Sequence, residues 1–283
     1  MRKFFLSFAD SRMARALDRV RIQAEQMQCY DQIVVADQSY LNINFREKFK
    51  DKLRPNVRGY GYWCWKPQVI LQLLDQIEDG DIIQYTDAGC HLNKTGKERL
   101  MEYFDLADES ETGILAFTAV PPIFHDSAVA LPDLTESRWC KADLFKFLNV
   151  IDDNLITHSP TIGAGIIFIK KNNRSKAIVE QWLSVIESDF SLLDDSPSKS
   201  KNFSEFVEHR HDQSIFSILC KQNHVALVSC YEYGYPSKYF NTPNWYKLKN
   251  FPIHAKRDKG LSTAMRIVDI AKKVDRRVRR LLA

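Results

Sequence analysis

The chain has 283 residues, 45% hydrophobic and 27% charged, with a formal net charge of +4. Those proportions describe a globular protein long enough to bury a large core, and they exclude a disordered or collagen-like chain. No apolar run approaches the length needed to cross a bilayer, and six scattered cysteines with no CxxC pair exclude a zinc knuckle or a redox motif.

The opening MRKFFLSFADSR has an apolar stretch too short for a secretory signal, so a cytoplasmic location is expected. Residues 3–9 (KFFLSFA) are predicted as a strand, 12–28 as a helix with apolar residues at helical spacing, and 32–36 (QIVVA) as a second strand ending in Asp37. This β-α-β opening predicts an α/β fold with a mostly parallel sheet flanked by helices. GYGYWCWKP (59–67) precedes a predicted helix over 68–77. DIIQYT (81–86) reads as a buried strand that delivers Asp87-Ala88-Gly89 at its carboxyl end, where open α/β sheets collect ligands. A helix over 97–107 and a strand over 113–118 follow. Residues 121–137 read as a loop-rich insertion, 138–150 as helical, 161–169 (TIGAGIIFI) as a strand and 175–186 as a helix. A polar loop over 194–202 leads to the segment HRHDQSIFSIL.

Four places carry candidate chemistry. A carboxylate just beyond a buried strand, Asp87, suits a divalent cation bridging two phosphates, and it equally suits a turn or a helix N-cap. Gly163-Ala164-Gly165 suits close backbone approach to a ligand, or a strand bulge. His209, His211 and Asp212 offer a general base or a metal ligand, or a solvated helix start. His254-Ala255-Lys256-Arg257 suits metal and diphosphate contact, or a surface loop. Tyr60, Tyr62, Trp63, Trp65, Trp139, Tyr235, Tyr239, Trp245 and Tyr246 fall in predicted loops more than in strands. Sugar stacking is open to them, with core packing the expected fate of Trp63 and Trp65.

Taken in order, KFFLSFADS, GYGYWCWKP, DIIQYTDAGC, SPTIGAGIIFIKK, HDQSIF and IHAKRDK resemble the blocks of GT-A (Rossmann-like) glycosyltransferases. The nearest likeness is to the bacterial enzymes of lipooligosaccharide, O-antigen and capsule assembly. The resemblance implies a hexosyltransferase-type enzyme that moves a sugar from a nucleoside-diphosphate sugar, a UDP-sugar above all, to a glycan or glycolipid acceptor. It implies donor binding by Ser7, Phe8, Ala9, Asp37, Lys66, Gly163, Ala164, Gly165 and Lys256, with Asp212 and Gln213 beneath the anomeric carbon. Acceptor contact is expected at His125 and Trp139. Gly89 stands in place of the second aspartate of the family's DxD motif, a departure that leaves Asp87 with His254, and His91 beside them, to hold a Mn²⁺ or Mg²⁺ ion.

Residues 1–255 are expected to form the transferase domain and 256–283 a basic tail. Ten Lys/Arg against three Asp lie from residue 256 onward, so the positive charge belongs to the tail. Its apolar residues recur at helical spacing, which predicts an amphipathic helix on an anionic membrane surface, hence a protein peripheral to the inner face of the cell membrane. Nucleic-acid binding is disfavoured, since no such fold motif is present. Two other functions compete: a metal-dependent nucleotidyltransferase or phosphohydrolase, and a non-catalytic sugar-nucleotide or glycan binder, for which Gly89 is the argument.

Overall fold

The computed structural model describes residues 1–238 and 243–260. The predicted basic helix beyond residue 260 lies outside the described residues. Six strands form one sheet: β1 (Lys3–Phe8), β2 (Gln32–Ala36), β3 (Ile82–Thr86), β5 (Ile114–Thr118), β6 (Ile162–Lys170) and β7 (Ala226–Ser229). Two short strands, β4 (His91–Leu92) and β8 (Ile253–His254), pair antiparallel as a separate ribbon.

The sheet order is β2-β1-β3-β6-β5-β7. β1 runs parallel to β2 and β3, and β5 parallel to β7, while β6 is antiparallel to both β3 and β5. The expected α/β, mostly parallel sheet is therefore present, with β6 alone reversed. Every residue of β3 and β5 is buried, because helices cover both faces. On one face the helices Trp65–Leu74, Asn173–Ser188 and Asp212–Gln222 pack against Leu6, Phe8, Ile83, Tyr85 and Ile167. On the other, Ala14–Met27 and Lys97–Glu109 pack against Phe5, Ile82, Leu115 and Phe168. Alternate residues of each strand feed opposite layers, as the pleat requires.

Element positions depart from the sequence reading where short-range signals are weak. The helix predicted over 138–150 is two pieces, Glu136–Trp139 and Ala142–Phe147, broken where Cys140 takes extended angles. The helix predicted over 68–77 begins at Trp65 and ends at Leu74. β4, β7 and β8 were not predicted, being two to four residues long. No described helix is long and apolar enough to cross a membrane.

The chain winds from β1 outward to β2, then returns to place β3 on the other side of β1. That reversal opens a crevice at the carboxyl ends of β1 and β3, the usual ligand position of such sheets. Ala9, Asp10 and Asp87 follow directly from those ends.

Candidate active site

Lys66 is the centre of the arrangement. Its side chain, 3% exposed, comes off the first turn of the helix Trp65–Leu74. Its Nζ lies 2.7 Å from Asp212 Oδ2, 3.3 Å from Asp87 Oδ1 and 3.0 Å from the carbonyl oxygen of Ala164. An ammonium has three protons, and three acceptors surround this one. The sequence reading placed Lys66 near the donor diphosphate. In the fold its side chain joins β3, β6 and the helix Asp212–Gln222.

Asp87 has one oxygen committed and one open. Oδ1 accepts from Tyr85 Oη at 2.7 Å, a pairing that the two-residue period of β3 arranges on one face. Oδ2 faces Gly165, where a Cβ would stand 3.0 Å from it. The backbone locks the two together, since Asp87 N donates to Gly165 O at 2.8 Å. Gly165 is thus required by close approach. Gly163 is similar, with Tyr233 Oη 2.7 Å from the place of its Cβ.

Asp212 begins its helix and is 5% exposed. Burial pushes its carboxyl up to about 6, against the opposing pull of Lys66 and with a further push from Asp87. The same two carboxylates outweigh burial at Lys66 and hold its ammonium above the ordinary lysine range. The group is one ammonium between two carboxyl groups, with Lys66 and Asp212 buried and the Asp87 side chain 38% exposed. Gln213, half-buried, sits on the next position of the helix.

Two strained segments hold this trio. From Gly59 to Trp63 five successive residues have positive φ (57°, 54°, 93°, 54° and 61°), a left-handed turn that includes three non-glycine residues. Left-handed backbone of this kind costs about 1–2 kcal/mol per non-glycine residue and tends to sit at functional sites. Trp65 fastens the turn by donating Nε1–H to Gly59 O at 3.0 Å, and its ring lies 4.2 Å from that of Phe8. The second is His211, at φ 55° and ψ −127° just before Asp212. His211 Nδ1 meets Leu193 O at 2.8 Å and His209 Nε2 meets Leu192 O at 2.9 Å, so both rings donate to one loop. Burial holds His211 down to about 4 and His209 well below the usual histidine range. Both are neutral tethers that fix the approach to Asp212.

The remaining predicted residues are spread around this centre. Ser7 and Phe8 are buried in β1, and Ala9 N donates to Ala36 O at 3.2 Å. Asp37 is exposed, its carboxyl held low by bonds from Ser39 Oγ and N. It lines an open cleft of about 450 Å³ with Ser11, Arg21 and Tyr40, which Asp87 and Asp212 do not reach. Trp139 packs under Arg210, whose guanidinium carbon is 3.9 Å from the ring centre. His125 Nδ1 meets Tyr235 Oη at 3.1 Å. Lys256 is exposed on the rim, 5.6 Å from the Trp245 ring.

Of the residues expected to hold a cation, Asp87 follows β3 while His91 and His254 face each other on the β4–β8 ribbon. Among the described residues no three His, Cys, Asp or Glu side chains converge as a metal would require. His254 Nε2 is engaged by Leu248 O at 2.9 Å, and His91 by Asp258 at 3.1 Å and Gln23 at 3.4 Å. Asp87 Oδ2 is the oxygen this set leaves open. At Gly89 the chain is crossed by residues 257–258: Asp258 N donates to Gly89 O at 2.9 Å, and a Cβ on Gly89 would lie 3.4 Å from Arg257 Cα. This crossing brings the exposed Arg257 to the position where the DxD pattern has a carboxylate.

Tyr85, Tyr233 and Asp258 were missed by the sequence reading. Tyr85 was accessible from strand periodicity, two residues before Asp87. Tyr233 meets Gly163 and Asp258 meets Gly89 only through tertiary crossings, for which no local signal exists.

No protein-family model and no curated protein matches the chain. Among solved structures it is similar to a glycosyltransferase involved in the glycosylation of the major capsid of PBCV-1, at 12% identity, 92% of this chain, 98% of that chain and a TM-score of 0.47. It is similar to the galactosyltransferase LgtC in complex with donor and acceptor sugar analogs, at 14% identity, 96% and 95% coverage and a TM-score of 0.43. Mouse xyloside xylosyltransferase 1 is a third, at 9% identity, 82% and 86% coverage and a TM-score of 0.44. Likenesses at such identities and scores carry nothing about chemistry, which has to come from the chain's own residues.

Proposed function

We propose that the protein is a glycosyltransferase of the GT-A type, moving a sugar from a nucleoside-diphosphate donor to a glycan acceptor. The observation that carries this reading is the Asp87–Lys66–Asp212 trio at the carboxyl end of β3, its Lys66 and Asp212 buried and its Asp87 part-exposed, walled by Gly163 and Gly165.

The chemistry follows from charge. Breaking a sugar–phosphate bond develops positive charge at the anomeric carbon and negative charge on the departing diphosphate. Two carboxylates fixed by Lys66 supply negative potential for the first, and burial of Lys66 and Asp212 strengthens their effect. Asp212 also suits the role of base for the acceptor hydroxyl, its raised carboxyl lying nearer neutral pH than an ordinary aspartate. Lys256 and Arg257, exposed beside Gly89, supply cations for the leaving diphosphate. The glycine pair leaves room for the sugar ring, and the Asp37 cleft offers hydroxyl-binding groups for the nucleoside.

The reading extends to the acceptor and the tail. A surface glycan on a lipid carrier and an anionic membrane contact through residues 261–283 fit the sequence pattern of that tail. The test of function is hydrolysis of a panel of nucleotide sugars by the purified chain, with Asp87→Ala and Asp212→Asn as controls. Nucleotide binding without turnover would instead make the protein a sugar-nucleotide binder.

A further inference from the structure

The stretch that leads up to the Gly89 crossing, between Glu232 and Asp258, is free of acids. From residue 233 to 257 the sequence has no Asp or Glu, and it carries Lys238, Lys247, Lys249, Lys256 and Arg257. The fold seats three of these ammonium groups over aromatic rings. Lys247 Nζ is 4.8 Å from the Tyr235 ring centre, Lys249 Nζ 5.1 Å from Tyr246 and Lys256 Nζ 5.6 Å from Trp245. Lys249, Lys256 and Tyr246 are exposed, Tyr246 to 80%. Every salt bridge among the described residues lies elsewhere, so none of the three lysines has a carboxylate partner there. A ring beneath an ammonium holds the charge in place without neutralising it, and the neighbouring ring faces suit the apolar side of a sugar.

This ledge is continuous with the site. The His254 ring is 5.4 Å from that of Trp245. Ala255 N donates to Tyr233 O at 2.9 Å, and Tyr233 Oη is the group that abuts Gly163. On the facing loop, His125 meets Tyr235, and the acids of that loop are already engaged: Asp126 by Ala128 N, Asp133 by Thr135 and Arg138.

We propose that the ledge is the acceptor subsite and that the acceptor is an anionic glycan. Its carboxylate or phosphate ester sits between Lys247 and Lys249 while a ring stacks on Tyr246 or Trp245. The inference rests on the transferase reading, which supplies the need for a second substrate.

The test is calorimetry on the full chain with three oligosaccharides: oligogalacturonate for carboxylate, a mannose 6-phosphate oligosaccharide for phosphate, and maltohexaose as the neutral control. At least one acidic ligand is expected to bind about tenfold or more tightly than maltohexaose, and Lys247→Gln/Lys249→Gln to lose that margin, as deletion of charged hydrogen bonds would. The acidic ligand that responds identifies the group. Equal affinity for acidic and neutral ligands overturns the inference, as does an unchanged margin in a double variant with wild-type melting temperature. Binding to phosphatidylglycerol vesicles that depends on Lys247 and Lys249, with no glycan preference, overturns it in favour of a lipid surface. Nucleotide-sugar hydrolysis, measured on the same preparation, keeps the two questions apart. Hydrolysis without acidic preference removes this inference alone, and failure to bind any nucleoside diphosphate removes the transferase reading and the acceptor role with it.

Discussion

Lys66 Nζ and Asp212 Oδ2 are 2.7 Å apart in a place where neither side chain is more than 7% exposed. Removing one partner from such a pair leaves a buried charge, which typically costs about 3–5 kcal/mol. It also fixes how the site titrates. Asp212 stands raised to about 6 with Lys66 pulling it down, and it acts as a carboxylate. Turnover is therefore predicted to fall on the acid side with a midpoint near pH 6, because protonation removes the working form. Lys66→Met is predicted to move that midpoint upward and to lower the melting temperature. A midpoint unmoved in a folded Lys66→Met protein would separate Lys66 from the titration.

Gly165 faces the open oxygen of Asp87. A methyl group there would press on Oδ2 from 3.0 Å and turn the carboxylate out of line. Gly165→Ala is predicted to reduce kcat/KM by about 10²-fold, as small displacements at a reacting centre do, with little change in melting temperature. Wild-type turnover in Gly165→Ala would remove Asp87 from the chemistry.

The two neutral histidines make the fold acid-sensitive. Burial depresses both His209 and His211 below the ordinary value of 6.5. Stability is whole above that value and declines as pH falls below it, by up to about 1.4 kcal/mol per pH unit for each ring, since the unfolded chain takes up the protons first. Melting temperatures measured from pH 7 to 5 should fall. His209→Gln keeps a donor for Leu192 O without titrating, so its decline is predicted to be shallower. An identical slope would place the acid sensitivity elsewhere.

Much of the fold was legible in the sequence because its main strands are short, mostly apolar runs. KFFLSF, QIVVA, IIQYT, ILAFT and IGAGIIFIK all appear as strands within a residue or two of their predicted bounds. Asp87, Gly163, Ala164, Gly165 and Asp212 were singled out from local patterns and Lys66 from the family resemblance, and the fold brings these six together. What local patterns did not carry was direction and crossing. The reversal of β6 is a tertiary pairing, and nothing in TIGAGIIFI states it. The resemblance put Lys66 near the donor diphosphate, and only the fold shows its ion pairs with Asp87 and Asp212 and its bond to Ala164 O. His254 and His91 were read as ligand candidates, and only the fold shows their contacts with Leu248 O and Asp258.

The tail can be cut away and examined separately. Removal of residues 261–283 deletes a strongly basic stretch, and co-sedimentation with phosphatidylglycerol vesicles is predicted to drop by about tenfold or more, in line with roughly 1 kcal/mol per cation near an anionic surface. Nucleotide-sugar hydrolysis should persist. Unchanged sedimentation would refute the membrane assignment and leave the catalytic one untouched.

The central claim is that a nucleoside-diphosphate sugar is the substrate, and its most direct measurement is release of nucleoside diphosphate from a panel of such donors by the purified full chain. Slow hydrolysis of at least one donor, reduced by about 10²-fold or more in Asp212→Asn and in Asp87→Ala, is the predicted result. No release from any donor, together with no calorimetric binding of UDP, GDP, ADP or CDP, would contradict it.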